Sequence, residues 1–164
     1  MTTPLLMIAT TPLALEPIVA AVCEAGADRQ GSDGAVATFL GLVRNHNIGR
    51  RVHYLDYEAY EPLAVRSFER ITEEIRERWP GVRMGVHHRV GTLQVGEASV
   101  IIVVASPHRG DAFAVCRYTI ERIKQISPIW KHEHFEGGDV WIEGATADPD
   151  DAIALAAAEK AACA

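Results

Sequence analysis

Lysine is scarce in this chain of 164 residues: it occurs three times, whereas arginine occurs thirteen times. Two of the three lysines, Lys124 and Lys131, lie only seven residues apart. Lysine, unlike arginine, can lose its proton when buried and then act as a base or an amine nucleophile. The chain uses arginine for most of its positive charge, so the segment that keeps two lysines is the first candidate for a functional site.

Several common classes of protein are excluded by other absences. A net charge of −6 and a pI near 5.6 argue against a general nucleic-acid binder. The three cysteines, Cys23, Cys116 and Cys163, are odd in number and have no CxxC spacing, so they predict neither a disulfide framework nor a zinc site. No GxGxxG, Walker, GxSxG or HExxH motif occurs, which removes several nucleotide-binding and hydrolase classes.

Long apolar runs are absent as well, since none approaches the roughly 20 residues of a membrane span. The N-terminal segment lacks a basic region and a long apolar stretch, so no signal peptide is predicted. A hydrophobic content of 48% with 23% charged residues is ordinary for a globular protein. We therefore expect one globular domain, residues 1–164, that resides in a reducing cytoplasm and binds no membrane.

The hydrophobic periodicity predicts an alternation of strands and helices. Helices are expected at 16–25 with Gly26 as the C-terminal cap, at 60–79, at 111–126 with an apolar stripe of Phe113, Cys116, Ile120 and Ile123, and weakly at 150–162. Strands are expected at 5–9, 34–44, 52–58, 82–90, 98–105, 129–135 and 140–143, and 45–50 is read as a loop. Three adjacent strand pairs could be joined by short turns, which favours an α+β architecture with mostly antiparallel sheet over a doubly wound parallel one.

Four groups suited to anions lie between Ser106 and Glu133. His108 and Arg109 mark a strand-to-helix junction, where helix N–H groups and a guanidinium fork favour phosphate or carboxylate. Lys124 follows about 22 Å further along the same helix. These groups cannot meet in one chain unless the ligand is extended or another subunit intervenes, which indicates a site across an interface. Lys131 begins a new element that can return beside Lys124.

Most of these residues, considered one at a time, have a simple structural explanation that involves no function. Arginine and lysine are usually exposed surface charges, and Arg44 alone, at the end of a predicted strand, would remain one. His108 alone would be a capping or surface residue. His132 and His134 share one face of a predicted strand and could suit a metal, but no third ligand follows at a recognised spacing, so no metal site is predicted.

A family resemblance rests on four segments in a fixed order: ATFLGLVRNHNIGRRVHYLDYEAY, HHRVGTLQVGE, ASPHRGDAF and IKQISPIWKHE. From about residue 34 to 143 the chain resembles the large, catalytic subunit of molybdopterin synthase. The resemblance implies an α/β hammerhead fold with additional antiparallel sheet. It also implies the conversion of cyclic pyranopterin monophosphate into molybdopterin by installing two dithiolene sulfurs, with no cofactor of its own.

The same resemblance implies partners and residue roles. Sulfur would arrive as a thiocarboxylate on the C-terminal Gly-Gly tail of a small ubiquitin-like subunit, and two large subunits would form the central dimer of a heterotetramer. Lys124 and Lys131 would be catalytic, and His108 and Arg109 would be contributed across the dimer. Substrate would be contacted by Leu42, Val43, Arg44, His108, Arg109, His132 and Glu133. His132 departs from the family, which usually has lysine or arginine at that position.

Two other functions remain open at this point. A non-catalytic binding module for a ubiquitin-like sulfur carrier would use the lysines only as docking charges. A hydrolase acting alone on an acidic phosphate would not need a partner. The presence of both lysines, the His-Arg pair and Arg44 favours the synthase.

Overall fold

The computed structural model describes residues 2–25, 31–142 and 144–164, which form four helices and nine strands. The helices are α1 (Leu15–Glu24), α2 (Glu61–Arg78), α3 (Arg109–Ile126) and α4 (Ala152–Ala162). The strands are β1 (Leu6–Ala9), β2 (Ala35–Leu42), β3 (His46–Asn47), β4 (Arg50–Ala59), β5 (Arg83–Arg89), β6 (Gly91–Gln94), β7 (Ala98–Ser106), β8 (Ile129–Phe135) and β9 (Gly138–Ile142).

The first sheet has the order β1-β5-β7-β2, and only the β1–β5 pair is parallel. Strand β7 is internal, and it is apolar on both faces because each face has its own core. Its Ile102 and Val104 pack in the cluster that includes α2 and α3, whereas Ile101 and Val103 pack in the cluster formed with α1. Burial on both faces explains why this segment has no alternation of polar and apolar residues.

The second sheet is built around β4, which pairs antiparallel with β3, β6 and β8, and β8 continues to β9. The predicted α+β class with mostly antiparallel sheet in a single domain is confirmed, as are the β5–β7 and β8–β9 antiparallel pairs. The pairing of the strands at 34–44 and 52–58 is wrong, because β2 and β4 belong to different sheets.

The prediction of a loop at 45–50 is also wrong in part. His46 and Asn47 form β3, and a turn at Ile48 and Gly49, with positive φ angles of 48° and 74°, returns the chain into β4. Strand β6 was not predicted either, since its four residues carry no alternating pattern and only pairing with β4 makes them a strand. Both strands are products of tertiary pairing.

The predicted helices are confirmed within two residues at the described ends. The Gly26 cap and Glu143, the last residue of the final predicted strand, lie outside the described residues. The stripe predicted on α3 needs one correction, because Phe113 is 68% exposed. The buried arc of α3 is centred on Ala112, Thr119 and Ile126, about 120° around the helix from Phe113 at roughly 100° per residue. None of the described helices combines the length and the apolar character that crossing a membrane requires.

Candidate active site

A cavity of about 840 Å³ lies where the end of β2, the second sheet and the C-terminal half of α3 meet. Five of the residues predicted from the sequence line it: Leu42, Arg44, Lys124, Lys131 and Glu133. They come from three segments of the chain, at 42–44, 124 and 131–133, which are separated by up to about ninety residues. The fold therefore brings both lysines and Arg44, three of the five anion-binding candidates predicted from the sequence, into one cavity.

The turn between α3 and β8 brings the two lysines together. Lys124 lies in the last turn of α3, and Lys131 is the third residue of β8. Ser127 leaves the helix in an extended conformation, and Pro128, which has no N–H group, cannot continue it. The Ser127 hydroxyl is 2.7 Å from that of Ser67 on α2, so the turn is attached to the core and not free to move the lysines apart.

Glu133 faces the cavity although it is only 2% exposed. The amide of Asn47 donates a hydrogen bond of 2.8 Å to its Oε2, and Arg50 lies 3.2 Å from its Oε1 as an ion pair. Both partners belong to the β3–β4 hairpin that the sequence pattern did not reveal. This short hairpin therefore has a structural role in the site, because it holds the carboxylate beside Lys131.

Burial lowers the pKa of Lys131, the Glu133 carboxylate raises that pKa, and the charges of Lys124 and Arg44 lower it. Among the residues that the structure describes, none forms an ion pair with Arg44, Lys124 or Lys131. The cavity thus contains three cationic side chains and one carboxylate, which is already held by other partners. Such an excess of unpaired positive charge in a partly enclosed space favours an anionic ligand.

His132 is placed on the opposite face of β8 from Lys131 and Glu133, since side chains alternate along a strand. Its Nε2 lies 2.7 Å from Oδ1 of Asp139, and its ring stacks on Trp141 at 4.4 Å between centroids. The structure does not bring His132 to the cavity of its own chain. Three groups of metal-ligand type, Asp56, His132 and His134, share this outer face.

Val43 also lies outside the cavity. It is 3% exposed and packs with Val52, Leu55 and Leu93. Its backbone N–H donates to the carbonyl of Glu97, and its own carbonyl accepts from Gly96. Val43 therefore anchors the segment whose neighbouring side chains, those of Leu42 and Arg44, reach the cavity.

His108 and Arg109 lie at the other end of α3, where His108 is the N-cap residue and both side chains are exposed. Because α3 is continuous from Arg109 to Ile126, the predicted separation of about 22 Å between Arg109 and Lys124 holds within one chain. The structure does not bring this pair to the cavity of the same chain.

The sequence pattern did not identify a second polar wall of the cavity, formed by Tyr57, His88 and Ser99. His88 is 5% exposed and packs edge-on against Tyr57, with 5.3 Å between ring centroids. Burial lowers the pKa of His88 to about 4, and its hydrogen bond to the carbonyl of Arg89 raises it. Burial raises the pKa of Tyr57, and its hydrogen bond with Ser99 lowers it. This wall is therefore neutral near pH 7, and the charge of the cavity is confined to the lysine side.

Side-chain alternation along β5 puts His87 and His88 on opposite faces of the strand. It could not tell which face borders a cavity, because that depends on how the two sheets pack. The remaining wall is apolar and includes Phe39, Leu40, Ile120, Ile123 and Ile129. A ligand that complements all three walls combines an apolar part, neutral hydrogen-bonding groups and an anionic end.

Comparison with known proteins finds relatives of the chain in one family. The family model described as MoaE protein matches residues 8–126. The molybdopterin synthase catalytic subunit of Bacillus subtilis (strain 168) is 47% identical over 135 residues, which cover 82% of each chain. That of Halalkalibacterium halodurans is 48% identical over 109 residues, 66% of this chain and 70% of the relative.

Among solved structures, the crystal structure of molybdopterin synthase from Staphylococcus aureus superposes with a TM-score of 0.76 at 41% sequence identity. The superposition covers 82% of this chain and 94% of that one. The residues that the family model matches include β2, β4 and α3, which contribute to the cavity, and end before β8.

Proposed function

The chain belongs to the family of MoaE proteins, the catalytic subunits of molybdopterin synthase, and on this premise we propose how its cavity carries out sulfur transfer. The chain converts cyclic pyranopterin monophosphate into molybdopterin with sulfur from the C-terminal thiocarboxylate of a small ubiquitin-like subunit. The observation that carries this function is the convergence of Lys124, Lys131 and Arg44 in one cavity without an ion-pair partner among the described residues.

The charge of the cavity matches the chemistry of the two substrates. A cyclic phosphate and a thiocarboxylate are both anionic, so they repel each other when they are brought within reacting distance. Fixed cations that face the reacting groups offset this repulsion and stabilise negative charge as it develops. The wall around His88 is neutral. It would contact the apolar and hydrogen-bonding parts of the pterin, while the charged side of the cavity binds the anionic groups.

Lys124 is assigned the central catalytic role. Its exposed side chain at the end of α3 can reach an extended peptide tail that enters from solvent. It would orient the thiocarboxylate while the thiocarboxylate sulfur forms a C–S bond to a side-chain carbon of the substrate, whose bond to oxygen breaks as that oxygen leaves on the phosphate or as water. Water would then cleave the acyl C–S bond, so that the sulfur stays on the substrate and the small subunit leaves as a carboxylate. Lys124 would stabilise the oxyanion in both steps.

Lys131 is assigned an assisting role. Burial lowers its pKa, which brings the ammonium group nearer to the range in which a lysine can give or take a proton. The carboxylate of Glu133 acts against this shift and keeps the side chain oriented. Lys131 would transfer a proton, or hold the phosphate as its ring opens, while Leu42 and Arg44 contact the substrate.

His108 and Arg109 are proposed to act in the cavity of a second copy of the chain, within a heterotetramer built on a central dimer. Their distance from Lys124 in the same helix supports this assignment. Val43 and His132, which lie behind the cavity wall, would support the substrate contacts made by their neighbours. A cytoplasmic location is proposed as well, since all three cysteines are free thiols.

The test of the function is an assay with cyclic pyranopterin monophosphate and the thiocarboxylated small subunit. Lys124→Ala should lower dithiolene formation by about a hundredfold or more, in line with the loss of one oxyanion-stabilising group. Lys160→Ala is the matched control, because Lys160 is the third lysine and is exposed on α4. Wild-type turnover by Lys124→Ala would refute the assignment. Binding of the small subunit without product from any variant would support the docking module instead.

A mixing experiment tests the site across the dimer. Subunits of Lys124→Ala and Arg109→Ala, each inactive alone, are mixed under conditions that allow exchange. If Arg109 serves the partner's cavity, each mixed dimer contains one intact site, and about one quarter of wild-type activity should return after random exchange. If Arg109 acts only in its own chain, no mixed dimer has an intact site and no activity returns.

A further inference from the structure

Two histidines and a carboxylate converge on the outer face of the second sheet. His132 and His134 are two residues apart on β8, and Asp56 on β4 is the register partner of His132. One potential ligand atom from each of the three lies within 4.8 Å of the other two. The Nε2 of His134 is already 2.9 Å from Oδ2 of Asp56.

The three side chains are held by their surroundings. The ring of His134 stacks on Tyr54 at 4.3 Å, and that of His132 stacks on Trp141 at 4.4 Å. The hydroxyl of Thr92 donates a hydrogen bond of 2.5 Å to Oδ1 of Asp56, the oxygen that does not face His134. In metal sites, groups outside the ligand shell orient the ligands, mostly through hydrogen bonds. Here the two stacked rings and the Thr92 hydroxyl orient the three side chains in a similar way.

We propose that Asp56, His132 and His134 bind one divalent transition-metal ion of the Zn²⁺ type. Two imidazoles with a carboxylate suit Zn²⁺ and its neighbours in the first transition row, and not Mg²⁺ or Ca²⁺, which prefer oxygen ligands alone. Asp139, 2.7 Å from the Nε2 of His132, lies outside the group of three and would become a fourth ligand only after its exposed side chain turns towards the ion. In tetrahedral zinc coordination neighbouring ligand atoms lie about 3.3 Å apart, so small rotations of these half-exposed side chains suffice.

The sequence alone argued against this site because the spacing of His132 and His134 lacked a third ligand. Asp56 lies 76 residues before His132, and only the pairing of β4 with β8 brings it into range. The separation along the chain is outside any recognised local spacing, so no motif search along the chain would find the trio.

The metal would act on the strand that presents Lys131 and Glu133 to the cavity. These two side chains project from β8 on the face opposite His132 and His134. An ion that links β4 to β8, and through Asp139 to β9, would hold the second sheet together behind the cavity. Its role is therefore to stabilise the sheet, and the sulfur-transfer steps do not pass through it.

The first test is calorimetric titration of the full chain, without an affinity tag, with ZnCl2. Cys23→Ser and Cys163→Ser are introduced beforehand, because these exposed thiols could bind zinc independently. The expected result is saturable binding of one Zn²⁺ per chain and a melting temperature that rises with zinc concentration. Absence of saturable binding would overturn the proposal.

Variants then assign the ligands. His132→Ala and His134→Ala should each weaken binding by more than a hundredfold, and Thr92→Val, which removes only the outer hydrogen bond, by about ten- to a hundredfold. His53→Ala is the matched control on the exposed surface of β4 and should leave the affinity unchanged. Equal affinity of wild type and both histidine variants would place the zinc elsewhere and overturn the assignment.

Asp56→Asn keeps the shape of the side chain and is included in case the alanine variants do not fold. Circular dichroism checks the fold of each variant. Crystals soaked in ZnCl2 and measured at the zinc absorption edge should show an anomalous peak between Asp56, His132 and His134. A peak confined to other residues would contradict the proposal.

Discussion

His88, in the neutral wall of the cavity, should make the protein sensitive to acid by a predictable amount. Burial lowers its pKa from 6.5 to about 4, although its hydrogen bond to the carbonyl of Arg89 acts in the opposite direction. The unfolded chain therefore takes up a proton below about pH 6.5, which the folded protein accepts only near pH 4. The stability associated with this histidine is complete above pH 6.5 and is lost as the pH falls towards 4.

The magnitude follows from the two pKa values. At 1.36 kcal/mol per pKa unit, the full loss is about 3 kcal/mol, and most of it is lost by pH 4.5. This is a large part of the free energy of unfolding of a typical domain, about 5–15 kcal/mol. His88 should therefore contribute a large part of the stability that the protein loses as the pH falls from 6.5 towards 4.

The measurement is urea unfolding of wild type and His88→Gln at about pH 7.5 and pH 4.5. Wild type should lose about 2–3 kcal/mol more between the two conditions than His88→Gln, because glutamine takes up no proton in this range. Any effect of the substitution that is independent of pH cancels in this comparison. His53→Gln, which changes an exposed histidine, should lose as much as wild type. The same acid dependence in wild type and His88→Gln would refute the reasoning.

Three further predictions concern the supports of the cavity. Arg122 is fully buried and donates to both oxygens of Glu74 at 2.7 and 2.9 Å, so Arg122→Met should lower the free energy of unfolding by about 3 kcal/mol. A loss below about 1 kcal/mol in urea unfolding would contradict this. Gly144→Ala would place a Cβ 2.6 Å from a backbone carbonyl of β8, so it should lower the free energy of unfolding by about 1–3 kcal/mol and reduce product formation. Unchanged stability and activity would show that the backbone here can move to accept the Cβ. Glu133→Gln should lower the pKa of Lys131 further, measured by NMR titration of the three lysine side chains; an unchanged or raised pKa would show that the carboxylate does not act on Lys131.

Much of the fold was predictable because its signals are local. The helical spacing of Phe68, Ile71 and Ile75 indicated α2, and the apolar run in β7 indicated a strand that is buried on both faces. Proline at position 128 ends α3 and begins the return that brings Lys124 and Lys131 together. These features depend on residues within a few positions of one another, so a linear pattern contains them.

The incorrect predictions concern segments with little local signal. Strands β3 and β6 have two and four residues, and their conformation is stabilised mainly by hydrogen bonds to β4. The proposed pairing of β2 with β4 followed their nearness along the chain, whereas each completes a different sheet. Phe113 fits the apolar spacing of α3 but faces solvent, because the position of the neighbouring elements sets the centre of the buried arc.

The sequence by itself determined the chemistry that this protein has available: few lysines, two of them close together, and a resemblance strong enough to indicate the family. Tertiary structure alone decided which of these groups act together. It placed Lys131 and Glu133 in the cavity and His132 outside it, added His88 to the wall, and joined Asp56 to two distant histidines. The physical reason is that a site is a set of contacts between segments far apart in the chain. Such contacts are set by the packing of two sheets against a helix, for which neighbouring residues provide no signal.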